Sequence, residues 1–122
     1  MTTEELLKEG FIEFIEGGLD QEKKRRFRLA VTAYFKAITQ LCDLLILRKR
    51  GFPPKNHSER FRLLEKDFPE VYSSVDSVFA SYQETYSSEL TKDSCSLLKN
   101  ETKKIIHLGK FDEEFKEIVS RI

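Results

Sequence analysis

A chain of 122 residues, 39% hydrophobic and 34% charged, builds one domain (residues 1–122) around a single thin core and leaves no room for a second. Its 21 basic and 21 acidic residues cancel to a formal charge of zero. That excludes coating of nucleic acid or an anionic membrane by bulk attraction, so charged binding has to come from a local patch. Cys42, Cys95 and the two His show no paired ligand spacing, which excludes a disulfide framework and a zinc-type site.

Both Cys lie in apolar stretches and read as buried free thiols of a reducing compartment. No metal or other cofactor is expected. The N-terminus is acidic and polar, unlike a signal peptide, and the longest apolar run, Leu44-Leu45-Ile46-Leu47, is too short to span a bilayer. These features point to the cytoplasm.

In chain order, the first helix is predicted from about Thr3 to Glu16. Thr2 and Glu5 fit a capping box, Gly17 fits the end, and Leu6, Leu7, Phe11, Phe14 and Ile15 form the apolar stripe. The second is predicted from about Asp20 to Arg50, roughly 45 Å long at the standard rise. Phe27, Ala30, Val31, Tyr34, Ile38, Leu41, Cys42 and Leu45 make one continuous face. Arg48-Lys49-Arg50-Gly51 closes it, with cations where the helix dipole favours them.

The third helix begins near Asn56, which pairs with Glu59 at capping-box spacing, and carries Phe61, Leu63 and Leu64. It ends by Phe68, because a residue before proline avoids helical torsions. The fourth starts at Pro69 and presents Val71, Val75, Val78, Phe79, Tyr82 and Tyr86. A break follows at Ser87-Ser88-Glu89-Leu90-Thr91. The fifth helix runs to about Leu108, with Cys95, Leu98, Ile105 and Leu108 inward. A short amphipathic tail carries Phe111, Phe115, Ile118 and Val119. Helices joined by short turns pack antiparallel. The expected fold is all-α: an antiparallel up-and-down four- or five-helix bundle, with the first helix and the tail laid across it.

Ala30-Val31-Thr32-Ala33-Tyr34-Phe35-Lys36-Ala37, then Leu44-Leu45, a Gly-containing turn, and His57-Ser58 entering a Leu-rich helix are similar to the HEPN superfamily, named for nucleotide binding in higher eukaryotes and prokaryotes. The resemblance covers about residues 20–108. It implies a helical bundle that dimerises, and two functional branches. One branch is metal-independent ribonucleases, often toxins, that use an Arg, four to six residues and a His near the start of the last core helix. The other is non-catalytic bundles that pair with small nucleotidyltransferases or bind nucleotides or RNA. Between Phe79 and Leu98, where the Arg and His of the first branch belong, this chain has neither. Arg50 and His57 have six residues between them but flank the turn between the second and third helices, the wrong place for that pattern.

His57 can serve as a general acid or base from its intrinsic pKa, with Lys55 and Arg60 beside it for a phosphate at a helix N-terminus; the plainer role is a residue that fixes the turn. Lys23, Lys24, Arg25, Arg26 and Arg28 read as a basic collar in the first turns of the second helix, opposing its dipole. The collar suits RNA phosphates, or pairing with Glu4, Glu5, Glu9, Glu13 and Glu16 of the acidic first helix. Tyr34, Tyr82 and Tyr86 read as packing residues and Tyr72 as off-stripe; Ser87, Ser88 and Thr91 read as caps.

The expectation is therefore a non-catalytic, HEPN-like interaction module. It is homodimeric or paired with a nucleotidyltransferase-type partner, and binds nucleotide or RNA through Lys23, Lys24, Arg25, Arg26, Arg28, Lys55, His57 and Arg60. Its protein interface would draw on Phe111, Phe115 and Ile118, or on Ile46-Leu47. The alternatives are an endoribonuclease using His57 with Arg50 or Arg60, and a purely structural helical partner.

Overall fold

Thr2 lies in extended backbone and its Oγ1 accepts the Glu5 N–H at 3.1 Å, which opens α1, Thr3–Lys23. The helix does not stop at Gly17-Gly18, as the sequence reading expected. Gly18 is buried, and a Cβ there would lie 2.9 Å from Tyr34 Cζ and closer still to the neighbouring ring carbons. This glycine lets two helices approach; it does not turn the chain.

The turn comes at Lys24-Arg25-Arg26. The Arg26 N–H donates to Gln21 O and the Arg25 N–H to Glu22 O, both at 2.9 Å, with Arg25 at φ 60°. That is a Schellman ending with an arginine in the left-handed position glycine normally takes. The second helix, α2, accordingly spans Phe27–Arg50 and not Asp20–Arg50. Gly51, at φ 87°, ends it by donating to Leu47 O at 2.8 Å.

The computed structural model describes residues 1–83, 87 and 89–122. Beyond α2 come α3 (His57–Asp67), α4 (Pro69–Gln83), α5 (Lys92–Leu108) and α6 (Lys116–Arg121). The starts of α3 and α4 fall where the caps predicted them. Asn56 Oδ1 accepts the Glu59 N–H at 2.9 Å, although Glu59 reaches back to the Lys55 N–H and not to that of Asn56. Tyr86 and Ser88, placed above on a stripe and in a break, lie outside the described residues. The α5 helix ends in a second Schellman turn, this time with Lys110 at φ 60° and Gly109 still right-handed.

Pair contacts fix the directions. Glu4 meets Arg48 and Gly18 meets Tyr34, so α1 and α2 are antiparallel along their full length; α1 is not laid across the bundle. Phe79 and Tyr82 pack on Phe35, whereas Phe68 and Pro69 share a groove with Leu108, so α4 runs back against α2 and α5. Arg60 pairs with Asp43 and Arg50 with Asp67, each at a sequence separation of 17. A constant offset means that α3 follows α2 in the same direction, reached through the Phe52-Pro53-Pro54 link. The up-and-down bundle is α1, α2, α4 and α5, with α3 a helical crossover on its flank.

The core is formed by Phe11 and Ile15 of α1, the continuous face of α2, Leu63 and Leu64, Val71, Val75 and Val78, and Cys95, Leu98, Ile105 and Ile106. Among the described residues α2 is the one helix long and apolar enough to cross a membrane, and 67% of that stretch is buried inside the fold. The tail also belongs to the core: Phe111, Phe115 and Ile118 are at most 5% exposed, with Phe115 against Phe11 at 4.8 Å between ring centroids. Ile46 is 1% exposed. Of the side chains nominated above for a protein interface, Phe111, Phe115, Ile118 and Ile46 are therefore already covered, and Leu47 is half-buried. Among the described residues, the large apolar side chains left exposed are Met1, Leu6, Leu29, Phe52 and Leu97.

Candidate functional site

The α1–α2 turn and the start of α5 meet at one end of the bundle. There they enclose a cleft of about 380 Å³ lined by Leu19, Glu22, Lys23, Arg25, Phe27, Lys92 and Lys99. The correction to the helix boundary matters for its electrostatics. Lys23 lies in the last turn of α1, where the dipole attracts cations, and does not oppose the start of α2. Left-handed backbone at Arg25, about 1–2 kcal/mol less favourable for a residue with a Cβ, carries its guanidinium 5.3 Å above the Phe27 ring.

Glu22 is the one acid among the described lining residues, and its carboxylate is fixed from two sides. Tyr34 Oη donates to Oε1 at 2.7 Å, and Lys99 Nζ lies 3.0 Å from Oε1 and 3.1 Å from Oε2. Burial, then the bond to Glu22, drives the Tyr34 hydroxyl far above the usual phenol range, so it stays a donor. Burial and the nearby Glu22 carboxylate push the Cys95 thiol up to about 11, which leaves it unreactive. With Lys23, Arg25, Lys92 and Lys99 against Glu22, the described lining residues carry a net charge of +3 (four minus one).

Among the described residues, no ion pair joins Lys23, Lys24, Arg25 or Arg26 to the acidic helix. Among the described residues, the acids of α1 that form ion pairs do so elsewhere: Glu4 with Arg48, Glu16 with Arg121 and Glu22 with Lys99. Lys24 and Arg26 are exposed beside the cleft, as is Arg28, which has contacts of its own.

The second group of nominated residues lies elsewhere, between α2, α3 and α4. His57 and Arg60 line a cavity of about 320 Å³ with Phe35, Lys36, Thr39, Phe79 and Tyr82. Arg60 grips Asp43 with two bonds, Nε to Oδ1 at 2.6 Å and Nη2 to Oδ2 at 3.0 Å. Asp43, only 7% exposed, absorbs the charge a phosphate would otherwise meet. Arg60 Nη1 lies 2.7 Å from His57 Nδ1. A guanidinium only donates, so Nδ1 accepts and the ring proton sits on Nε2. Nε2 is shielded from solvent and has no hydrogen-bond partner among the described residues; the rings of Phe61, Phe79 and Phe35 pack on the imidazole with centroids 4.9, 5.2 and 6.1 Å from its own. Burial and the Arg60 charge hold the imidazole pKa below its ordinary value. His57 is thus neutral, with no free basic nitrogen.

Arg50 is also engaged, by Asp67 at 2.6 and 3.0 Å. Lys55 is exposed, and Tyr72 is half-buried against Phe61 at 6.0 Å. The structure brings Lys23 and Arg25 together with Lys92 and Lys99, and keeps His57 and the Asp43-paired Arg60 in a separate cavity. Lys92 and Lys99 went unassigned in the sequence because they join the collar only through tertiary contact; Glu22 adjoins Lys23 in the chain, and only its contacts with Tyr34 and Lys99 mark it. Asp43 did leave a signal, a lone acid inside the apolar run of α2. Among the described residues, no group of three or more His, Cys, Asp or Glu is placed to hold a metal ion. No protein-family model matches the chain, and no curated protein or solved structure matches it significantly.

Proposed function

We propose that the protein is a non-catalytic, HEPN-like helical module that binds the ribose-phosphate chain of RNA or a free nucleotide. One observation carries this reading: a concave cleft with a net +3 lining on a chain whose formal charge is zero. Its volume falls in the range of small-ligand sites, about 300–1,000 Å³. Phe27 and Leu19 supply an apolar wall for a base, and the cations face phosphate oxygens. An arginine at a left-handed position where glycine is less strained fits a functional demand on Arg25. The HEPN resemblance adds a second copy of the chain or a nucleotidyltransferase as the expected protein partner; a monomeric sedimentation mass at micromolar concentration would argue against the dimer.

The test is fluorescence anisotropy with a labelled single-stranded RNA in EDTA. Three phosphate contacts at about −0.7 each give a slope near −2 for log affinity against log salt. Lys23→Glu with Arg25→Glu should weaken binding at least tenfold, while Lys55→Glu, on the other cavity's side, should leave it unchanged. The RNA should stay intact. Cleavage that vanishes in His57→Ala would replace this reading with the ribonuclease one.

A further inference from the structure

A carboxylate at the centre of an anion-binding cleft needs a reason. Glu22 weakens phosphate attraction by one charge in a lining of four cations. It also holds Lys99 and Tyr34, but that structural duty leaves part of its hydrogen-bonding capacity unused. Two carboxylate oxygens offer about four acceptor positions. Tyr34 Oη and Lys99 Nζ occupy three at most, through contacts of 2.7, 3.0 and 3.1 Å. The side chain is 12% exposed, and it lines the cleft.

We propose that Glu22 is a specificity residue: it accepts a hydrogen bond from a ribose hydroxyl, so the cleft takes ribonucleotides in preference to sugars that lack that hydroxyl. The inference rests on the phosphate-binding reading above and deepens it. The groups needed by the three parts of a ribonucleotide share one cleft. Lys23, Lys92 and Lys99 meet phosphate, Phe27 with Leu19 meets the base, and Glu22 lies among them for the sugar.

The carboxylate is also preorganised. Tyr34 is fully buried and cannot follow a moving partner, so Glu22 stays aimed without ligand-induced ordering. A site that hydrogen-bonds a ligand hydroxyl through a charged acceptor discriminates against the analogue lacking it by on the order of tenfold or more.

Isothermal titration calorimetry with adenosine 5′-monophosphate, its 2′-deoxy form and its 2′,3′-dideoxy form tests the idea, with inorganic phosphate alongside. The ribonucleotide should bind about tenfold tighter than the dideoxy form. In Glu22→Gln the amide oxygen can still accept from Tyr34, which preserves the fold, but the amino group can only donate to the sugar hydroxyl, so the charged acceptor is lost. The preference should then fall to about threefold or less, the level of a neutral hydrogen bond. A circular-dichroism melt of the variant checks that it folds.

If the ribonucleotide and dideoxy forms bind equally, and both weaken in Lys99→Ala, the ribose assignment is overturned while the phosphate reading stands. A tenfold preference that persists in Glu22→Gln removes Glu22 from the role. If neither nucleotide nor inorganic phosphate binds, both readings fall.

Discussion

Replacing each glycine of the Gly17-Gly18 pair with alanine separates two accounts of the same dipeptide. In a helix interior, Gly to Ala gains about 1 kcal/mol from propensity. At Gly17 a Cβ meets nothing within 4 Å, so Gly17→Ala should stabilise the protein by that full amount. At Gly18 the new Cβ enters the ring of Tyr34, which is fully buried and tethered through its hydroxyl to Glu22. Overpacking of this kind costs about 2–3 kcal/mol, so the net loss for Gly18→Ala is about 1–2 kcal/mol. For a domain of this size 1 kcal/mol moves Tm by about 4 °C. A thermal melt followed by circular dichroism should place Gly17→Ala about 4 °C above the parent and Gly18→Ala about 4–8 °C below it. If Gly17→Ala lost stability, the chain would be turning at the glycines, as the sequence suggests, and the route of α1 to Lys23 would be wrong. If both variants gained stability, the close approach to Tyr34 would be refuted.

Asp43→Ala should cost about 3 kcal/mol in urea unfolding, because it strands the Arg60 guanidinium, 14% exposed, without its partner; Asp43→Leu with Arg60→Met should recover most of that loss. A double variant as unstable as the single one would refute the pairing. Glu114, bonded by Arg48 and Lys8, has its carboxyl held down to about 2. Its folded pKa is depressed, so its contribution is complete above about pH 4.5 and is lost as pH falls from there towards 2. Discounted for partial exposure, it amounts to about 1 kcal/mol, and Glu114→Gln should flatten the acid limb of stability against pH by that amount.

The caps and stripes were legible because they are local. Thr2, Asn56, Pro69 and Gly51 act within one turn of their own position, and the structure puts helix ends at each. The ending of α1 was misread because glycine has two uses, turning and close packing, and only the Tyr34 ring decides between them. The turn that does form uses Arg25, a residue with no turn signature, held by two backbone bonds. The tail was legible as amphipathic and able to pack on the bundle or on a partner, but nothing in Phe111 or Phe115 says which of the two it meets or which face of the bundle lacks a cover. The collar was visible as a charge run; its partners Lys92 and Lys99 come from a helix about seventy residues later. The pairing of Arg60 in the Lys55–Arg60 group was hidden for a related reason, because Asp43 reaches it from a different helix.

The decisive measurement is a ¹⁵N–¹H chemical-shift titration with adenosine 5′-monophosphate at low salt. Saturable shifts confined to the amides of Lys23, Arg25, Phe27, Lys92 and Lys99, with Lys36, His57 and Arg60 still, are the predicted result. Shifts centred on His57 and Arg60, or none up to millimolar ligand, would contradict the cleft as the binding site.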